Sequence, residues 1–277
     1  MVALHLSFKV CAALTAGVLV SGSAFAGAVV QGFHSSSLAR NDDSYTLSPV
    51  DIGFNVNFFG SEYGQLYVNN NGNVTFRSAQ STFTPYDLNS TQNAIIAPFF
   101  ADVDTRYAGD QVTYGTGTYD GQNAFGVNWV NVDYFLAASS HTARNSFQLI
   151  LVDRGNGDFD IVYNYDTIQW ETGTASGGSA SGLGGFSARV GYSNGTGEVG
   201  SFFELPGSAV NGAFLDGGLN SLASHRMDSD VTGRYIFQVR GGGVLPPSPP
   251  VPEPETWAML LAGLGIVGAA AKRRRRG

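Results

Sequence analysis

No lysine lies between Lys9 and Lys272, and cysteine occurs once, at Cys11. A lone cysteine excludes an internal disulfide and a thiolate metal cage, so the core must stabilise the fold unaided. Residues 27–245 hold nine arginines against 20 acidic side chains, a net charge of −11. Such a surface repels phosphate backbones, and nucleic acid is not an expected partner. A 3.6-period apolar run is also missing, so no long amphipathic helix is expected between Gly27 and Gly243. The chain has no Gly-x-Ser-x-Gly elbow, and His34, His141 and His225 stand at no metal-binding spacing. Neither a serine triad nor a zinc site is therefore expected, and the chain does not read as an enzyme.

What is present points to strands. The 37 glycines and abundant Asn, Thr and Tyr favour short extended segments joined by tight turns. Ile52, Phe54, Val56 and Phe58 alternate on one face of 52–59. The stretch 66–68 and the stretch 74–76 flank Asn69-Asn70-Asn71-Gly72, a hairpin signal because Asn and Gly accept positive φ. A second hairpin pairs 146–152 with 159–165. It places Phe147, Leu149 and Leu151 on one face, and Phe159, Ile161, Tyr163 and Tyr165 on one face of the partner. Further strands are expected at 94–100, 112–118, 125–135, 186–192, 202–205 and 235–239. The predicted fold is all-β: an antiparallel β-sandwich or partly closed barrel over 27–240. The Gly/Ser/Ala-rich stretch 172–185 reads as a mobile surface loop inside it, and the Gly/Pro-rich 241–250 as a linker.

The ends carry targeting signals. Lys9, the apolar run 10–20 and Ala24-Phe25-Ala26 form a signal peptide over 1–26, with Ala24 and Ala26 as the small residues that signal peptidase accepts. Cleavage there removes Cys11. At the other end, the 15 uncharged residues 257–271 precede Lys272, Arg273, Arg274, Arg275 and Arg276. As a helix this run reaches about 22 Å against a hydrocarbon core of about 30 Å. It is a short transmembrane helix that spans with help from a snorkelling Lys272. The basic cluster is its expected cytoplasmic anchor.

This tail, with Pro252, Glu253 and Pro254 ahead of the apolar run, resembles the PEP-CTERM sorting signal over 251–277. The resemblance implies recognition by an exosortase in exopolysaccharide-producing Gram-negative bacteria. It further implies a membrane-tethered precursor passing to the outer surface or extracellular matrix. Segments within about 52–205 resemble the extracellular NIDO (nidogen-like) domain: the stretch 66–76, Ala97-Pro98-Phe99-Phe100-Ala101-Asp102-Val103-Asp104-Thr105, the stretches 127–132, 145–151 and 158–165, Ile168-Gln169-Trp170 and 188–192. That resemblance implies an adhesive role toward extracellular matrix or exopolysaccharide and brings no catalytic residues. A carbohydrate-binding module is the alternative reading, and a polysaccharide-processing enzyme a further one.

Two acidic groups invite chemistry. Asp102 and Asp104 flank Val103, so on a strand their carboxylates share a face about 7 Å apart. They are candidates for calcium or an acid/base pair; alternatively, one pairs with Arg106 and the other caps a turn. Asp153, Asn156, Asp158 and Asp160 form a second oxygen-rich group whose spacing fits a solvated hairpin turn better than a known calcium loop. Trp129, Trp170 and the tyrosines suit core packing first and sugar stacking second.

Overall fold

The computed structural model describes residues 27–136 and 142–247. The expected signal peptide, the sorting tail with its helix and residues 248–250 of the 241–250 linker lie outside those residues. Among the described residues no helix is long and apolar enough to cross a membrane.

Among the described residues fourteen strands run in chain order. The first seven are β1 (Ser36–Ser37), β2 (Val50–Phe58), β3 (Ser61–Asn69), β4 (Asn73–Thr75), β5 (Ile95–Phe100), β6 (Val103–Gly109) and β7 (Thr113–Tyr119). The rest are β8 (Gln122–Tyr134), β9 (Asn145–Gly155), β10 (Asp158–Ile168), β11 (Arg189–Ser193), β12 (Phe202–Glu204), β13 (Arg234–Arg240) and β14 (Gly243–Val244). They form two antiparallel sheets. One has the order β1-β7-β8-β9-β10-β13-β14 with β6 also on β8, and the other β12-β11-β5-β4-β3-β2. This is the expected all-β class, with both predicted hairpins present as β3–β4 and β9–β10.

Period two explains the main core. Phe147, Leu149 and Leu151 meet Phe159, Ile161, Tyr163 and Tyr165 on the inner face, and Ile52, Val56 and Phe58 pack against them from the second sheet. Trp129 stacks on Phe147 with ring centroids 5.3 Å apart, and Trp170 meets Phe99 edge-on at 5.7 Å. Both indoles are fully buried, so they serve packing.

The outer face of the larger sheet is also covered. Phe33 lies over Ala124, Ile150, Val152 and Val162. Its ring needs glycine beneath it: a Cβ on Gly126 would stand 2.3 Å from Phe33 Cγ. Beside it runs a ladder of polar side chains. Asn164 donates to Gln148 at 2.8 Å, Gln148 to Asn128 at 2.7 Å, and Arg234 to Asn164 at 2.8 Å. Asn128 and Gln148 also hold the carbonyls of Phe33 and Val30, both at 2.9 Å, which fixes the chain entering the domain.

The sheets are joined at one end. Asn57 N–H donates to Gly157 at 2.8 Å, and Phe59 N–H to Gly242 at 2.7 Å. Arg240 donates to the Phe159 carbonyl at 2.9 Å and pairs with Asp160 at 2.7 Å. The stretch 172–185, expected as a mobile loop, is instead packed in part. Thr172, Gly173, Ser176 and Gly182 are buried. Small residues allow this approach: a Cβ on Gly182 would stand 2.6 Å from Trp170 Cβ.

Candidate functional site

The turn between β3 and β4 is the unexpected centre of the molecule. Asn69, Asn70, Asn71 and Asn73 are each at most 1% exposed, although a polar hairpin turn would ordinarily face water. Burial demands a partner for each amide and backbone group. Trp129 Nε1 donates to the Asn70 carbonyl at 2.9 Å, and Val103 N–H donates to Asn71 Oδ1 at 2.9 Å. Gly72, at φ 70°, passes so close to Phe99 that a Cβ there would lie 1.7 Å from its carbonyl oxygen. Only glycine fits.

The loop before β2 closes over this turn. Asn41 Oδ1 accepts from Ser44 N–H at 2.8 Å, closing a turn that presents Asp42 and Asp43. Asn70 Nδ2 donates to the carbonyls of Asp42 and Val103, and Asn71 Nδ2 donates to Asp43 Oδ1 at 2.9 Å. Asp102, the residue before β6, enters from a third direction. Asp42, Asp43 and Asp102 each bring a carboxylate oxygen to within 4.8 Å of the others. Gly173 roofs the group, and a Cβ there would stand 2.2 Å from Asp102 Oδ2.

The sequence pair Asp102 and Asp104 thus separates. Asp104 accepts from Arg106 at the backbone N–H (2.8 Å), Nε (3.0 Å) and Nη2 (2.8 Å). The same guanidinium reaches Asp42 Oδ2 at 2.9 Å. Asp102 joins Asp42 and Asp43 instead. Those two acids were not singled out in the sequence, and a local signal existed only in the turn pattern Asn41-Asp42-Asp43-Ser44.

Electrostatics reflect this crowding. Burial, then the charges of Asp42, Asp43 and Asp104, push the Asp102 carboxyl up to about 8, against the pull of Arg106. Asp42 is pushed up to about 7, first by burial and then by Asp43 and Asp104. Asp43 is raised too, chiefly by burial, while Asn71 and Arg106 oppose the shift. Three oxygens here have no hydrogen-bond partner: Asp42 Oδ1, Asp102 Oδ2 and Asn70 Oδ1.

The other candidates lie apart. Asp153 accepts from Gly155 N–H at 2.8 Å, Asp158 from Gly241 N–H at 2.7 Å, and Asp160 pairs with Arg154 and Arg240, each at 2.7 Å. Asn156 has φ 55° at the turn, so this group builds the β9–β10 hairpin. His225 Nδ1 lies 2.8 Å from the Ser221 carbonyl. A shallow groove of about 630 Å³ runs beside β1, with Tyr45, Leu47 and Tyr114 among its lining residues. Ala24, Ala26, Pro252, Glu253, Pro254 and the basic cluster from Lys272 to Arg276 lie outside the described residues.

Comparison with known proteins agrees with both segments. The nidogen-like domain family model matches residues 64–120 and 114–241, and the PEP-CTERM protein-sorting motif matches 250–276. Alpha-tectorin of Homo sapiens is 34% identical over 226 residues, which is 74% of this chain and 10% of that protein. Nidogen of Drosophila melanogaster is 28% identical over 212 residues, 66% of this chain and 14% of that protein. The matched region is thus a small part of either relative. No solved structure matches the chain.

Proposed function

The chain belongs to the nidogen-like domain family, and from that premise we propose an exported, non-enzymatic surface protein whose domain adheres to extracellular matrix or exopolysaccharide. The observation that carries this reading is the order of the two matched segments: a nidogen-like domain over 64–241, then a protein-sorting motif over 250–276. The geometry supports it. Two sheets share an aromatic core, and the acidic side chains of the hairpin turn are engaged by arginines and backbone N–H groups. Signal peptidase and then an exosortase act on the precursor. The apolar segment 257–271 holds it in the inner membrane of a Gram-negative cell until the Pro-Glu-Pro region is processed.

A tag before Gly241 and another after Arg276 test this in fractionated cells. The first tag reaches the surface or matrix and the second is lost. Glu253→Ala leaves an intact membrane-held precursor. Neutralising Lys272 to Arg276 removes a hold of about 1 kcal/mol per charge at an anionic leaflet, and the precursor escapes unprocessed. Deleting the gene weakens cell cohesion in the exopolysaccharide layer. A wild-type chain that keeps both tags in the membrane beside a working exosortase overturns the sorting reading, and unchanged cohesion overturns the adhesive one.

A second reading, a carbohydrate-binding module, draws support from the groove beside β1, which Tyr45 and Tyr114 help to line. Glycan-array binding that is lost on Tyr114→Ala favours it.

A further inference from the structure

We propose that Asp42, Asp43 and Asp102, joined by the side-chain oxygen of Asn70, bind one calcium ion that fastens the 41–44 turn to the buried 69–73 turn.

The first support is geometric. The three carboxylate oxygens lie within 4.8 Å of one another. Oxygens on opposite sides of a calcium ion, each at 2.3–2.6 Å, stand about 5 Å apart, so a single ion can touch all three.

The second support is independent of the carboxylates. Asn70 is a neutral residue with no exposed surface, and its Oδ1 has no hydrogen-bond partner. Its Nδ2 holds the Asp42 carbonyl, so the free oxygen of the same amide lies beside Asp42. Asp102, 1% exposed, likewise leaves Oδ2 unpartnered, and so does Asp42 at Oδ1. A buried oxygen left without a donor is costly, and three together mark a place built for something that accepts their lone pairs.

Charge identifies the class of ligand. Asp42, Asp43, Asp102 and Asp104 surround one guanidinium, which is already committed to Asp104 and Asp42 Oδ2. A divalent cation offsets two of the remaining charges. The donors are all oxygen, with no histidine or sulfur, which selects a hard cation. Three acidic groups and an amide drawn from three separate connections suit calcium, which tolerates six to eight ligands at variable geometry, better than octahedral magnesium. Arg106 then acts as a positioning residue: it withdraws Asp104 from the group and turns Asp42 so that Oδ1 is left for the ion.

The test uses the full-length protein, stripped with EDTA and dialysed. Titration calorimetry with calcium chloride should give one ion per chain, and calcium should raise Tm by binding only the folded state. Terbium in place of calcium should show luminescence sensitised by Trp129, whose indole is one hydrogen bond from Asn70. That signal should fall in Trp129→Phe. Asp102→Asn and Asp43→Asn should each weaken binding by about tenfold or more, because affinity follows ligand charge. Asp120→Asn, an exposed acid in the β7–β8 turn, should bind as the wild type does. The wild-type titration needs no variant, so a misfolded Asp102→Asn leaves the outcome decided. No saturable binding up to about 10 mM calcium, beyond the weakest extracellular modules, overturns the proposal. Equal binding in wild type and both Asn variants also overturns it, as the mark of diffuse attraction to an acidic surface. A calcium-insensitive wild type whose Tm rises on Asp102→Asn does so as well, and shows that the carboxyls share protons instead.

Discussion

The indole N–H of Trp129 donates to the backbone carbonyl of Asn70 at 2.9 Å, with both residues fully buried. A tryptophan on β8 in one sheet therefore holds the turn that joins β3 to β4 in the other. Trp129→Phe keeps the stack on Phe147 and removes the donor and part of the ring. The expected loss is about 2 kcal/mol, the sum of a hydrogen bond and a small cavity. For a domain of this size the thermal midpoint should fall by about 4–8 °C. A midpoint unchanged within about 1 °C would show that the turn does not depend on the indole.

Two glycines with positive φ should respond very differently to alanine. At Gly72 the new Cβ would sit 1.7 Å from the Phe99 carbonyl oxygen, so backbone must move. The expected cost exceeds about 3 kcal/mol, and the yield of folded protein should drop. At Gly121, φ 76°, a Cβ meets nothing within 4 Å, which leaves only conformational strain of about 1 kcal/mol. Urea denaturation of both variants checks this, and equal losses would contradict it.

Glu171 should titrate high. Burial raises its carboxyl above the ordinary 4.5, while the N–H groups of Phe214 and Gly212, each at 2.7 Å, pull it back. The folded state therefore holds the proton more tightly than the unfolded one. The resulting stability is fully present below about pH 4.5 and is lost as the pH rises through the folded-state midpoint. A carboxyl-carbon NMR titration should place that midpoint above 4.5. A midpoint at or below it refutes the assignment.

The mature chain should begin at Gly27. From there the domain is already engaged: Val29 N–H donates to Asp166 at 2.9 Å, and Arg234 donates to the Ala28 carbonyl at 2.9 Å. Mass spectrometry of the exported protein should find that terminus, and a start after residue 35 would remove every one of these bonds.

Much of the fold was legible because strands are local. The alternation at 147–151 and 159–165 names the inner face of β9 and β10, and the structure places those residues in the core. The outer face was not legible, since what buries Ile150 and Val162 is Phe33, more than a hundred residues away. The acidic group shows the same limit. Arg106 lies two residues from Asp104, and their pairing was among the expected alternatives. Asp42 meets Asp102 only because the 69–73 turn folds inward and holds Asp42 together with Ala101 and Val103, the neighbours of Asp102, a long-range arrangement with no periodic signature. Composition marked 172–185 as having almost no side chain to pack, but could not say that this let the segment lie against Trp170 and Asp102.

The bond from Phe59 N–H to Gly242 has a mechanical consequence. If the chain is tethered through its C-terminal tail, any drag on the domain enters at residue 245. The load first meets the Leu245 N–H bond to the Gln238 carbonyl at 2.8 Å and then β14, paired to β13 at two positions, Val239 with Val244 and Arg240 with Gly243. Behind it stand the Gly242 carbonyl held by Phe59 and the Arg240 side chain bonded to Phe159 and Asp160. The outermost strand is thus a weak link in series with a stiff clasp. Force spectroscopy should record a small early yield before the main rupture, and a single rupture without it would remove the distinction. In a tethered chain under shear the link should give way first, lengthen the leash and reseal when tension drops, so that the sheets keep their shape while the terminal strand absorbs the jolt.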